Sequence, residues 1–215
     1  MTRFVTIEEL DQPTDPVVVI DVFRAFSFAT WAIHLGATRI VLAADKDHAR
    51  RLRATYPDAT SCTDGPKLPD FPLTNSPGQL STVDVKGATI IHATRNGTRG
   101  TAAARTADEL YVASFPNARA TARALGDRPA TFVVTGGEED RECAEFIAAL
   151  QADPGTAPEP YLERSRRSRG AARLARGVAD GYPGIHALDV ERSLTLDVLD
   201  RPLLATPTGD HLIVS

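Results

Sequence analysis

The run Val17-Val18-Val19-Ile20 stops abruptly at Asp21. It constrains the fold more than any other part of the chain. A strand with one wet face alternates apolar and polar side chains, whereas a strand that is apolar and β-branched throughout is buried on both faces. The run therefore predicts a strand inside a sheet that is covered on both sides. After Asp21, residues Ala25, Phe28, Ala29, Ala32 and Ile33 fall at helical spacing, and Gly36 provides a stop. The pattern then repeats. Strands are predicted at Arg39 to Ala43, Ala88 to Thr94, Leu110 to Ser114 and Ala130 to Thr135. Helices are predicted at Asp45 to Tyr56, Thr101 to Ala107, Ala118 to Leu125 and Asp140 to Gln151. Strand and helix in alternation predict an α/β fold of three layers, α/β/α, with a mostly parallel or mixed sheet.

Two stretches break the rhythm. Residues 57–87 contain Pro57, Pro66, Pro69, Pro72 and Pro77 with Gly65, Gly78 and Gly87, and read as one long loop, the kind that is usually functional. Residues 152–160 read as a linker between an N-terminal and a C-terminal lobe of a single domain covering 1–215. Beyond it, Arg164 to Val178 reads as an Arg-rich helix and Asp189 to Val198 as another. Leu203-Leu204-Ala205 and Leu212-Ile213-Val214 form a closing strand pair.

The charge balance narrows the function classes. Lys and Arg number 24 against 28 Asp and Glu, a net charge of -4. That balance argues against a protein built to hold nucleic acid or an anionic membrane, so Arg164, Arg166, Arg167, Arg169, Arg173 and Arg176 read as a solvated helix face. Cys62 and Cys143 make no disulfide framework, and residues 1–9 have no apolar signal core; both fit a cytoplasmic protein.

In an open α/β sheet, ligands sit outside the carboxyl ends of the strands. Four such junctions carry polar or Gly-rich clusters: Asp21 to Arg24, Arg95 to Gly100, Ser114 to Asn117 and Gly136 to Asp140. With parallel strands, all four converge on one edge. In the second cluster, Gly97 and Gly100 let backbone come close to a ligand, the following helix start favours an anion, and Arg95 and Arg99 add charged donors suited to phosphate. Read on structural grounds alone, the same cluster is a tight turn with Thr98 as helix cap. The carboxylates after Gly136-Gly137 suit Mg²⁺, which takes one or two carboxylates with waters and a substrate phosphate.

Several phosphoryl-transfer chemistries are excluded by absence. There is no P-loop and no Gly-x-Ser-x-Gly elbow. Asp21 is not followed by Asp at position 23, which is Phe23, and no Arg stands six residues after either cysteine, where Leu68 and Ala149 lie. His34, His48, His92, His186 and His211 show no metal-ligand spacing.

Taken together the motifs resemble the 2-phosphosulfolactate phosphatase family. The resemblance rests on Asp21-Val22-Phe23-Arg24-Ala25, Asn75-Ser76-Pro77, Thr94-Arg95-Asn96-Gly97-Thr98-Arg99, Ser114-Phe115-Pro116-Asn117-Ala118, and Gly137 followed by Glu139-Asp140 and Ala144, in that order. It departs from the family pattern at Thr63-Asp64-Gly65, where a Gly-Glu-Arg is usual. Asp64 there stands in for the acid, one methylene shorter, with no arginine after it. Thr74 and Glu145 each replace a glycine. The resemblance implies a Mg²⁺-dependent phosphatase that converts 2-phosphosulfolactate to sulfolactate, a step toward coenzyme M. Its partner is a small phosphate ester, and a homodimer stays open. On this reading Asp21, Arg24, Asn96 and Arg99 are catalytic. Asn75, Ser76, Gly97, Thr98 and Asn117 bind substrate, and Asp21, Asp64, Glu139 and Asp140 hold the metal. The attacking group is either a metal-activated water or Asp21 itself. The alternatives are a non-catalytic binder of a small anionic metabolite and a related phosphatase of another substrate.

Overall fold

In the computed structural model, which describes residues 1–12 and 16–215, Val17, Val18, Val19 and Ile20 are fully buried, and both faces of their strand are covered. The elements in order are β1 (Arg3–Val5), β2 (Val17–Ile20), α1 (Ala25–His34), β3 (Arg39–Leu42), α2 (Lys46–Thr55), β4 (Thr60–Thr63), β5 (Leu73–Thr74), β6 (Thr89–Ala93), α3 (Gly97–Ala103), β7 (Leu110–Ala113) and α4 (Ala118–Leu125). They continue with β8 (Thr131–Val134), α5 (Glu138–Ala152), α6 (Glu159–Arg166), α7 (Arg169–Ala179), α8 (Asp189–Ser193), β9 (Leu203–Thr208) and β10 (His211–Val214). The fold is mixed α/β, as the alternation predicts. Among the described residues no helix is long and apolar enough to cross a membrane.

The strands form one sheet in the order β1-β8-β2-β7-β9-β10-β3-β6-β4-β5. The strands β1, β8, β2 and β7 are mutually parallel, and so are β3, β6, β4 and β5. Between the blocks stand β9 and β10, each antiparallel to its neighbours. The closing strand pair is thus in the middle of the sheet, and the two parallel blocks run in opposite senses. A flat sheet of this topology would send their carboxyl ends to opposite edges. Twist of roughly 20–25° per strand changes that: over the five steps from β2 to β6 it accumulates to roughly 100–125°. One apolar cluster joins Val17, Val19, Val112 and Val133 of the first block to Ile40, Leu42 and Ile90 of the second, with α1 between them. The sheet therefore curls round α1. The opposite face carries α4 and α5 on the first block and α2 on the second.

Three further elements differ from the sequence reading. The long loop 57–87 contains β4 and β5. The polar run Thr60-Ser61-Cys62-Thr63 gives no apolar signal, yet it pairs with β6 from Thr60 opposite Ile90 to Thr63 opposite Ala93. The helix α3 starts at Gly97, four residues earlier than its apolar residues suggest. The Arg-rich segment is two helices, divided where Ser168 caps α7 by accepting a hydrogen bond from the Ala171 amide.

Gly100 has a packing role. A methyl group there would lie 2.7 Å from Val19 Cγ1 and 2.9 Å from Thr135 Cγ2, so its missing side chain seats α3 on β2 rather than admitting a ligand. Overpacking of a tight core contact costs about 1–3 kcal/mol. Gly100→Ala is expected to lower the melting temperature by roughly 3–10 °C in a chain of this size. Thermal denaturation followed by circular dichroism checks this, and a wild-type melt would refute the packing account.

Candidate active site

The carboxyl ends of β2, β4, β5, β6 and β8 meet where the two blocks face each other. Asp21, the residue after β2, is buried, and its Oδ1 accepts from the Ala25 amide at 3.0 Å at the start of α1. Across the gap stands Gly97, the first residue of α3. A methyl group on Gly97 would lie 2.8 Å from Ala25 Cβ and 3.1 Å from Asp21 Oδ2. The positive end of α3 thus meets a protein carboxylate. Burial pushes the Asp21 carboxyl up to about 6, aided by the charges of Asp64 and Glu139 and opposed by the Ala25 and Gly97 amides.

Asp140, in the first turn of α5, is a clamp. Its Oδ1 accepts from the Val22 amide at 2.7 Å, and its Oδ2 from Thr135 Oγ1 at 3.1 Å and the amides of Gly136 and Gly137 at 3.0 and 3.3 Å. It ties the end of β2 to the end of β8. Burial and the nearby Asp21 and Glu139 charges push its carboxyl well above the usual range. Glu139 is different. It is buried against Gly137 and Gly170, and its Oε2 has no hydrogen-bond partner among the described residues.

Asp64 follows β4. Its Oδ1 accepts from Asn75 Nδ2 at 2.9 Å and its Oδ2 from the Arg95 amide at 3.1 Å. With Asn75 Nδ2 facing Asp64, Asn75 Oδ1 faces His92 Nε2 at 3.1 Å, so His92 is the donor in that pair. Burial lowers the His92 imidazolium to about 4, which keeps the ring neutral at physiological pH. A polar chain therefore runs from His92 through Asn75 to Asp64. Ser76 and Arg24 converge on Asp189: Ser76 Oγ donates at 2.6 Å and Arg24 Nη1 at 2.5 Å.

Three acids, Asp64, Glu139 and Asp140, thus gather round Asp21, while the nearby Arg24 is already paired with Asp189. Among the described residues no three His, Cys, Asp or Glu side chains are grouped to hold a metal ion by themselves. Each oxygen of Asp64 takes one hydrogen bond, whereas the two of Asp140 take four between them. Neither oxygen of Glu139 makes a hydrogen bond to the described residues, so this carboxylate is the least committed of the four.

Of the other residues expected at the site, some stand on its rim and some elsewhere. Arg99 is exposed and lies 3.6 Å from Glu8 in a surface ion pair. Asn117 is fully buried and closes its own turn, with Oδ1 accepting from the Ser114 amide at 3.0 Å and Nδ2 donating to the Val112 carbonyl at 3.1 Å. Thr98 is no helix cap; its hydroxyl donates to the Thr94 carbonyl. Asn96 precedes α3 on the exposed rim and faces Gly136, where a methyl group would lie 3.0 Å from its Nδ2. Both cysteines are buried, and burial pushes their thiols well above the ordinary range, so neither is a nucleophile at neutral pH. Sequence reasoning missed His92 and Asp189. A histidine inside the apolar run Ile90-Ile91-His92-Ala93 is a readable signal. Asp189, 165 residues from Arg24, has none.

Comparison with known proteins matches residues 4–153 to the family model described as 2-phosphosulpholactate phosphatase. A Synechococcus sp. (strain RCC307) protein is 35% identical over 181 residues, which cover 81% of this chain and 70% of that one. A Bacillus subtilis (strain 168) protein is 34% identical over 147 residues, 64% of each chain. A Prochlorococcus marinus (strain MIT 9303) protein is 33% identical over 127 residues, 57% of this chain and 52% of the other. All three carry the name "Probable 2-phosphosulfolactate phosphatase". The chain spans 64% of the Bacillus protein's length and about half of the Prochlorococcus one.

Proposed function

The chain belongs to the 2-phosphosulpholactate phosphatase family, and on that premise we propose that it hydrolyses 2-phosphosulfolactate to sulfolactate and phosphate, using Mg²⁺. The observation that carries this reading is the gathering of buried carboxylates round Asp21 without a cation of their own. Buried charge is stable only when paired or coordinated, and like charges this close repel. A hard divalent ion fits the set, because Mg²⁺ is commonly held by one or two carboxylates and takes its other oxygens from water and substrate phosphate. The carboxylates of Asp21 and Glu139 would hold it. When bound, the ion supplies Lewis-acid polarisation of the phosphoryl group and a more acidic bound water.

The chain's own residues do the rest. Asp140 fixes the Gly136-Gly137 turn against β2, so that Glu139 is delivered beside Asp21. The His92–Asn75–Asp64 chain holds the loop from β5 against the Arg95 turn. Arg24 presents guanidinium N–H groups toward an anion, and Asn96 Nδ2 stands on the rim as a neutral donor.

Purified protein given 2-phosphosulfolactate or 4-nitrophenyl phosphate is expected to release phosphate with Mg²⁺ present. EDTA should stop the release and added Mg²⁺ restore it. Stabilisation by phosphate esters with no phosphate released under any condition would favour a non-catalytic binder and sink the phosphatase reading.

A further inference from the structure

Residues 154–215 lie outside the stretch matched by the family model, yet Asp189 reaches the site from there and is fully buried. It is the first residue of α8. Its Oδ1 accepts from Ser76 Oγ at 2.6 Å and the Gly78 amide at 2.9 Å. Its Oδ2 accepts from Arg24 Nη1 at 2.5 Å and the His186 amide at 2.9 Å. One carboxylate thus gathers the start of α1, the loop after β5 and its own segment. Arg24 Nη1 also donates to the Gly184 carbonyl at 2.8 Å. The remaining guanidinium nitrogens, Nε and Nη2, make no hydrogen bond to protein among the described residues, and neither is sealed from solvent.

The segment that delivers Asp189 is built to approach this closely. Gly184 has φ +92°, and a methyl group on it would lie 2.0 Å from the Gly65 carbonyl oxygen. One on Gly78 would lie 2.6 Å from His186 Nδ1. No larger residue fits either place without moving backbone or ring.

We propose that Asp189 is a positioning residue for the phosphate-binding groups: by holding Nη1 it aims the free N–H groups of Arg24, and by holding Ser76 and Gly78 it sets the loop that carries Asn75. The proposal rests on the phosphatase reading for its substrate. A planar guanidinium anchored at one corner keeps a fixed fork for an oxyanion, whereas a free one must be ordered on binding. Asp189 acts through Arg24 and the Ser76–Gly78 loop and touches no substrate.

The test measures orthophosphate binding by titration calorimetry and Mg²⁺-dependent hydrolysis of 4-nitrophenyl phosphate. The proteins are wild type, Asp189→Asn, Arg24→Gln and the double variant. Asp189→Asn is expected to weaken orthophosphate binding and kcat/KM by roughly 10–100-fold, the usual range for a residue that orients a ligand-binding group. The double variant should lose clearly less than the product of the two single losses, because the part of the Asp189 effect that runs through Arg24 is already gone in Arg24→Gln. A merely structural role makes the two losses multiply, and that result overturns the proposal. Wild-type binding and turnover in Asp189→Asn overturn it as well. Should Asp189→Asn not fold, Ser76→Ala substitutes. It removes one hydroxyl from the carboxylate and is expected to weaken orthophosphate several-fold, and an unchanged affinity counts against the proposal. Phosphate binding that depends on Asp189 in a wild type without turnover leaves the proposal standing and removes the phosphatase reading. A wild type that neither binds nor turns over removes both.

Discussion

Asp21→Asn is expected to lose nearly all turnover and at the same time to give a more stable protein. The loss follows from position: Asp21 is a buried carboxylate where the strand ends meet, and a group acting directly on a reacting centre contributes roughly 10²–10⁴-fold. The stability gain follows from linkage. The Asp21 carboxyl is raised from 3.8 to about 6 on folding, chiefly by burial. A folded-state value above the unfolded one means that the unfolded state binds fewer protons between the two. The contribution of Asp21 to stability is therefore most favourable below pH 4 and is lost as pH rises through about 6. At pH 8 the ionised group costs on the order of 3 kcal/mol. Asparagine keeps the hydrogen bond from the Ala25 amide, but its Nδ2 opposes the Gly97 amide, which returns about 1 kcal/mol. The net gain is about 1–2 kcal/mol, a rise in melting temperature of roughly 2–8 °C in EDTA at pH 8, shrinking toward pH 4.5. A variant with wild-type turnover, or one that melts lower than wild type at pH 8, would contradict this account.

The same kind of substitution one helix away is expected to act in the opposite direction. Asp140 is as buried as Asp21, but its two oxygens take four donors from Val22, Thr135, Gly136 and Gly137. Asp140→Ala leaves those donors without an acceptor in a place water reaches poorly, and each orphaned buried donor costs about 1–3 kcal/mol. Relief of repulsion with Asp21 and Glu139 offsets part of the loss. A destabilisation of about 3–5 kcal/mol is expected, comparable to breaking a buried charged network. Asp140→Asn should lie between, since its amide nitrogen faces the Gly136 and Gly137 amides. Urea denaturation at pH 8 in EDTA measures both. An Asp140→Ala protein within about 1 kcal/mol of wild type would show that the acid is no clamp.

The contrast between the two acids shows where sequence reading runs out. Both stand at a strand end beside a helix start, and composition treats them alike. Their difference lies in how many backbone amides the folded loops bring to each. Gly97 and Gly100 pose the same problem. Both read as glycines that admit a ligand, but Gly97 faces a carboxylate and Gly100 a strand. Asn117 reads as a binding residue from its motif, and its side chain is spent on its own turn. His92, inside an apolar strand, carries a legible signal because a buried imidazole needs a partner.

The amino-acid order is sufficient for what depends on near neighbours. Val17 to Ile20 form a doubly covered strand because every side chain is apolar and β-branched. The polar clusters stand at strand ends because buried strands have no room for them, and the ordered motifs identify the family. What depends on distant neighbours is set by the folded sheet. The two parallel blocks oppose each other across β9 and β10, and only the accumulated twist brings Asp64 and Gly97 of one to Asp21 and Glu139 of the other. Asp189 reaches Arg24 across 165 residues because a buried guanidinium must find an anion wherever the packed chain supplies one.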